Sequence, residues 1–276
     1  MTVDDFITGE KFYQVADLIY SPETNEIDYN KQVNTFDESK LQPLTIVYLH
    51  TVYKNLFFDR IKNLPNQFVV VTHNSDVNVT DITNVPPNVV HWFSQNVCIK
   101  DARLSSLPIG LENKRWHPEV QKKNRMLAKV KTAKKLKNLV YINHNISTNP
   151  AERTIPYDVL KDKPFATVTY GFNPRNFDAY IDEVYNHKFV VSPPGNGVDT
   201  HRKWEALYLG SIPIEKRCPN NTFYEDLPIC FVDSWDQVTE NFLNSEYERI
   251  THNQCGTSKL YMSYWLNLIH SQRRIT

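Results

Sequence analysis

A succession of short, almost wholly apolar runs, rich in β-branched and aromatic residues, limits what this chain can fold into. Leu44–Leu49 reads LTIVYL, Phe68–Thr72 FVVVT, Asn138–Ile142 NLVYI and Phe189–Ser192 FVVS. A strand with one face in water alternates apolar and polar residues, whereas a run that is apolar along its length is covered on both faces. The stretches between carry helical spacing, as in Asn55–Leu64 with Leu56, Phe57, Ile61 and Leu64. Doubly covered strands separated by helices or loops describe an α/β chain with parallel sheets. Strands are expected at 44–49, 68–72, 89–93 and 104–109, and again at 138–142, 165–170, 189–192, 211–214 and 229–232. In the second half helices are expected at 150–160, 177–185 and 199–209, from Trp235 onward, and at 258–272. A basic stretch, Lys122–Lys137, interrupts the alternation and reads as a solvated linker, with a surface for an acidic glycan or phosphate as the other reading. The expectation is two Rossmann-like lobes with parallel sheets facing a central cleft. Residues 1–128 would form the first lobe, 129–255 the second, and 256–276 a closing helix packed back on the lobes. Residues 1–43 read as a polar extension wrapped over a lobe.

A chain of 276 residues that is 41% hydrophobic can bury a substantial core, which excludes disorder as the dominant state. Thirty-one basic residues balance thirty-one acidic ones, which argues against nucleic acid as the main partner. Cys98, Cys218, Cys230 and Cys255 lie far apart, without metal-ligand spacing, and read as reduced thiols; pairing of Cys218 with Cys230 stays open. The N-terminus, MTVDDFITGE, lacks the basic start and apolar run of a signal peptide. No stretch approaches the roughly 18 apolar residues of a membrane helix. A soluble, cytoplasmic protein is expected, and the sequons at Asn78, Asn145 and Asn220 read as chance.

The chain has seven glycines, and Gly171, Gly195, Gly197 and Gly210 fall within one short stretch. That stretch includes FVVSPPGNGVDTHRKWEALYLGSIPI. A buried strand ends at Ser192, a turn rich in Pro and Gly follows, and Asp199 or Thr200 is placed to cap a helix. Ligands of open α/β sheets bind beyond the carboxyl ends of strands, where a helix N-terminus offers N–H groups to a phosphate. Arg202 in the first turn adds a fork of donors suited to a diphosphate. Glu205, three residues on, is suited to accept from ribose hydroxyls. The plain alternative is a strand–turn–helix connection with Arg202 and Glu205 as a surface ion pair. Neither GxGxxG nor GxxxxGK[ST] occurs, so a dehydrogenase or a P-loop enzyme lacks support.

Ser192-Pro193, Gly195, Arg202, Glu205-Ala206 and Gly210-Ser211-Ile212-Pro213 resemble the donor-binding motif of exostosin-like glycosyltransferases. The resemblance covers about Asn138–Trp235 and is specific in its middle. It implies a GT-B architecture, with the C-terminal lobe holding a nucleotide sugar and the N-terminal lobe meeting the acceptor. It implies that Arg202 contacts the diphosphate and Glu205 the ribose. It implies too that Arg153, early in the helix after NLVYINHN, is a further donor-site arginine, a position otherwise read as solvent-exposed. Inverting transfer needs a base on the acceptor hydroxyl. By position after the N-terminal strands Asp76 is the first candidate, with His73 beside it, then Glu112; His50 lies in a similar loop. No Asp-x-Asp occurs, so no metal and no other cofactor is expected. The partners implied are a UDP-sugar and an oligosaccharide or glycoprotein acceptor. The chain is similar to stand-alone viral xylosyltransferases of this family in lacking an anchor, which makes UDP-xylose the leading donor. Two other readings are a sugar-nucleotide or glycan-binding protein without turnover, and another Rossmann-type enzyme such as an epimerase.

Overall fold

The computed structural model describes residues 1–22, 34–113, 120–169, 176–253 and 255–274. The fold is α/β, with two compact units that each contain a five-stranded sheet, parallel throughout.

The first unit comprises Ile7–Pro118 and Tyr261–Thr276. Its strands β1 (Leu18–Tyr20), β2 (Leu44–His50), β3 (Gln67–His73), β4 (Val89–Gln95) and β5 (Leu104–Leu107) lie side by side in chain order. Strand β1 falls inside the stretch that reads as a polar extension. Three residues are too few to display a period, yet Phe12, Val15, Leu18 and Tyr20 are all buried. A single α-helix, α1 (Lys54–Ile61), follows β2, while β3 reaches β4, and β4 reaches β5, without an α-helix. Large aromatic side chains fill the core in their place. Phe57, Phe58, Phe68 and Trp92 are buried, with Phe58 edge-on to Trp92 at 5.4 Å between ring centres. The last helix, Met262–Ser271, belongs to this unit and buries Met262, Trp265 and Ile269.

The second unit comprises Met1–Phe6 and Glu119–Leu260. In chain order it contains α2 (Val120–Lys129), β6 (Asn138–Ile142), α3 (Pro150–Leu160), β7 (Ala166–Val168) and α4 (Phe177–Tyr185). It continues with β8 (His187–Val191), α5 (His201–Tyr208), β9 (Ile212–Lys216), β10 (Cys230–Val232) and α6 (Glu240–His252). Asn149 starts α3 by accepting from the Glu152 N–H, and Pro150 suits the first helical position because an N–H there would have no partner. The expected helix from Trp235 is one 3₁₀ turn, Trp235–Gln237, closed by the Ser234–Gln237 capping box; Thr239 caps α6 separately. Strand β7 ends at Val168, and Tyr170 and Gly171 lie outside the described residues.

The basic stretch is not a linker. Its first part is α2, and its cations meet acids of α4: Arg125 lies 3.3 Å from Asp178, and Lys129 pairs with Asp182. This pairing sets α2 within the second unit, so the division falls before it and not at residue 128. Cys218 and Cys230 are both thiols. Among the described residues no helix is long and apolar enough to cross a membrane.

The second sheet has the order β10-β9-β8-β6-β7. From β6 the chain moves outward to β7, and from β8 it moves outward on the other side, to β9. The order therefore reverses between β6 and β8, and it is at such a reversal, beyond the carboxyl ends of the strands, that open α/β sheets bind their ligands. The first sheet, in simple chain order, has no such reversal.

Candidate functional site

Asn143 and His144 follow β6 directly, and Ser192–Gly195 follow β8. Helix α3 brings Arg153 to the same edge. The side chain is only 7% exposed, so Arg153 is not the solvated first-turn arginine of the alternative reading. Its Nε donates to the Pro194 carbonyl at 2.8 Å and its Nη1 to the Asn145 carbonyl at 2.9 Å. Asn149 pins the same turn, its Nδ2 donating to the Gly195 carbonyl at 2.8 Å. Gly195 is buried there, and a β-carbon on it would meet Arg153 Nη2 at 3.0 Å and Thr200 Cγ2 at 3.7 Å. The glycine thus admits a guanidinium against the backbone.

Arg202, in the first turn of α5, donates through Nη2 to the Asn143 carbonyl, while its Nε is buried without a partner. Among the described residues no carboxylate lies within ion-pair distance of Arg153 or Arg202. Burial, and then repulsion by Arg202, lower the Arg153 pKa to about 10, which still leaves that guanidinium cationic at neutral pH. Two adjacent cations, mostly out of water and without a counter-ion, are costly unless an anion joins them. Thr200 is the N-cap of α5, and its Oγ1 is buried and unspent.

Glu205 is 6% exposed and makes no ion pair with Arg202. Its Oε2 accepts from the Tyr180 hydroxyl at 2.7 Å, and its Oε1 lies 3.5 Å from Lys122 Nζ. Burial foremost, then the charge of Glu205, push the Tyr180 pKa well up, so Tyr180 stays a donor. Ser192 is buried and turns its hydroxyl back to the Val190 carbonyl at 3.3 Å.

Asp199 has a different place from the expected one. It is buried, its Oδ1 lies 2.7 Å from Lys203 Nζ, and it also accepts from the Trp204 indole and the Thr200 N–H. A carboxylate so engaged holds the start of the helix onto the core.

In the first unit, His73 ends β3 and is 1% exposed. Its Nε2 lies 3.0 Å from the Pro108 carbonyl and its Nδ1 accepts from the Asn74 N–H at 2.8 Å, with Phe12 stacked on the ring at 4.8 Å. Both nitrogens are engaged, so His73 is held as part of a buried polar network and not as an open base. Asn74 extends that network, donating to the Tyr48 hydroxyl and accepting from Asn113, each at 2.9 Å. Asp76 is exposed, Glu112 half-buried and His50 buried.

The structure has Arg153, Ser192, Gly195, Thr200 and Arg202 at one edge of the second sheet. Sequence reasoning passes over Asn143, His144 and Asn149. The available signal was the polar Asn143-His144-Asn145 immediately after an apolar strand, at the point where the strand order reverses. The sequence matches no family model and no curated protein with which it was compared.

Proposed function

We propose that this chain is an inverting, metal-independent glycosyltransferase of the exostosin-like, GT-B type, acting in the cytoplasm. Its donor would be a UDP-sugar, with UDP-xylose first among candidates, and its acceptor a hydroxyl of an oligosaccharide or glycoprotein. The observation that carries this reading is the pair of guanidiniums, Arg153 and Arg202, gathered at the reversal point of the second sheet without a counter-ion among the described residues. A diphosphate supplies the missing charge, and Arg forks match its oxygens.

In the proposed reaction the acceptor oxygen attacks the anomeric carbon, the bond from that carbon to the phosphate oxygen breaks, and UDP departs with the bonding pair. The arginines would stabilise that charge as a metal does in other transferases. A carboxylate has about four lone-pair sites, so Glu205 retains capacity for ribose hydroxyls beside Tyr180 and Lys122. The acceptor proton is assigned to Asp76, with Glu112 as the alternate. The engagement of both His73 nitrogens favours, as a second reading, a sugar-nucleotide-binding protein of the same fold without turnover.

Binding calorimetry with UDP and a donor-hydrolysis panel, both in excess EDTA, test the proposal. Arg153→Ala and Arg202→Ala should each weaken UDP by about ten- to a hundredfold, the effect of losing a charge-assisted contact of roughly 1.5–3 kcal/mol. UDP binding unchanged in both variants would sink the donor site, and hydrolysis that needs added manganese or magnesium would sink the metal-free mechanism. Asp76→Asn should keep UDP affinity and lower transfer by about 10²–10⁴-fold, the range for a lost general base. If Glu112→Gln does so instead, the base is Glu112; wild-type rates in both remove both from the chemistry.

A further inference from the structure

Two groups at the same strand ends are not explained by anion binding. His144 is 7% exposed, and its Nε2 lies 2.9 Å from the Arg153 carbonyl oxygen. A carbonyl only accepts, so Nε2 bears the proton and Nδ1 is an acceptor. That Nδ1 is buried without a partner. Burial foremost, with the two neighbouring arginines adding to it, holds the imidazole pKa at about 4, and the ring is neutral at neutral pH. Asn143 is 5% exposed and repeats the pattern. Its Nδ2 donates to Thr169 Oγ1 at 2.7 Å, and its Oδ1 is buried without a partner.

The site thus offers two kinds of unspent capacity side by side. The arginines present donors and positive charge, which call for phosphate oxygens. His144 and Asn143 present acceptors, which an ionised phosphate cannot satisfy because it has no proton to donate. A ligand that meets both demands has anionic oxygens and hydroxyl donors within a few bonds of each other.

Resting on the diphosphate reading of Arg153 and Arg202, we propose that His144 Nδ1 and Asn143 Oδ1 accept hydrogen bonds from hydroxyls of the bound nucleotide sugar, and so take part in selecting the donor. Ribose and the transferred sugar both carry such hydroxyls, and the choice of probe separates them.

The experiment compares inorganic pyrophosphate, UDP and the preferred UDP-sugar by calorimetry on the full chain, in the wild type, His144→Gln and His144→Asn. Gln preserves the donor to the Arg153 carbonyl and removes the Nδ1 acceptor; Asn places an oxygen near the Nδ1 position and loses the tether. The expected result is that His144→Gln binds pyrophosphate within about threefold of wild type but loses about tenfold for a hydroxyl-bearing ligand, the scale of one neutral hydrogen bond. His144→Asn should recover most of that loss. A deficit already present with UDP assigns the contact to ribose, and one seen only with the UDP-sugar assigns it to the transferred sugar. An equal loss for all three ligands, or no loss for any, overturns the inference, since His144 would then only support Arg153 or do nothing. Failure of the wild type to bind pyrophosphate or UDP would remove the diphosphate reading itself, a result distinct from either.

Discussion

At the scale of single residues, Gly195 and Arg153 depend on each other. The guanidinium is pinned by two backbone carbonyls, so it cannot withdraw from a methyl group placed 3.0 Å from Nη2. Gly195→Ala should therefore cost stability on the order of 1–3 kcal/mol, as overpacking does, and, on the proposed donor site, weaken UDP at least about fivefold. A variant that melts and binds like wild type would show that Arg153 has room to move. This dependence is only half legible in the sequence. A glycine after a buried strand announces a close approach, but what approaches it comes from a helix more than forty positions earlier. His73 illustrates the same limit. Its place at the end of FVVVT is readable, whereas Phe12 and the Pro108 carbonyl, which enclose the ring, come from distant segments with no periodic pattern.

At the scale of elements, α5 is attached to β9 by a buried charge cluster. Lys203 lies 2.7 Å from Asp199 and 3.6 Å from Glu215, and Asn221 donates to Glu215 at 3.0 Å. One cation facing two carboxylates leaves an excess negative charge, and burial foremost raises the Glu215 pKa to about 7, against the attraction of Lys203. The folded chain then retains a proton that the unfolded chain releases near pH 4.5. Stability from this group falls as pH rises from about 4.5 to about 7, and the cost is fully present above that range. Glu215→Gln cannot ionise, so its melting temperature should gain on wild type more at pH 8 than at pH 5. Parallel melting curves at the two pH values would mean that Glu215 is ionised, or protonated, throughout. The strands themselves are legible because burial on both faces writes an apolar run into each. The cluster is not, because charged residues in FVVS-to-SIPI give no sign of facing inward, and the role of α2 is hidden for the same reason. A run of lysines looks solvated until the acids of α4 are set opposite it.

At the scale of the whole molecule, the chain passes from one unit to the other three times. Met1–Phe6 fold with the second unit although the following residues fold with the first, and Tyr261–Thr276 return to the first. The returning segment buries Met262, Trp265 and Ile269, each contributing roughly 1.5–3 kcal/mol to the core it joins. Phe6, 1% exposed, lies edge-on to Tyr208 at 4.6 Å within the second unit. Neither half of the chain, cut between residues 118 and 119, carries a complete core. Each fragment instead bears an end that completes the fold of the other, as in a split reporter. Co-expressed fragments 1–118 and 119–276 should co-purify as a pair and regain UDP binding, whereas either alone should be insoluble or unfolded by circular dichroism. Two fragments that are stable and fold independently would contradict this interlocking. If the pair assembles, the protein cannot be divided into its two units by one cut, and exchanging either unit for that of another protein means grafting at three junctions.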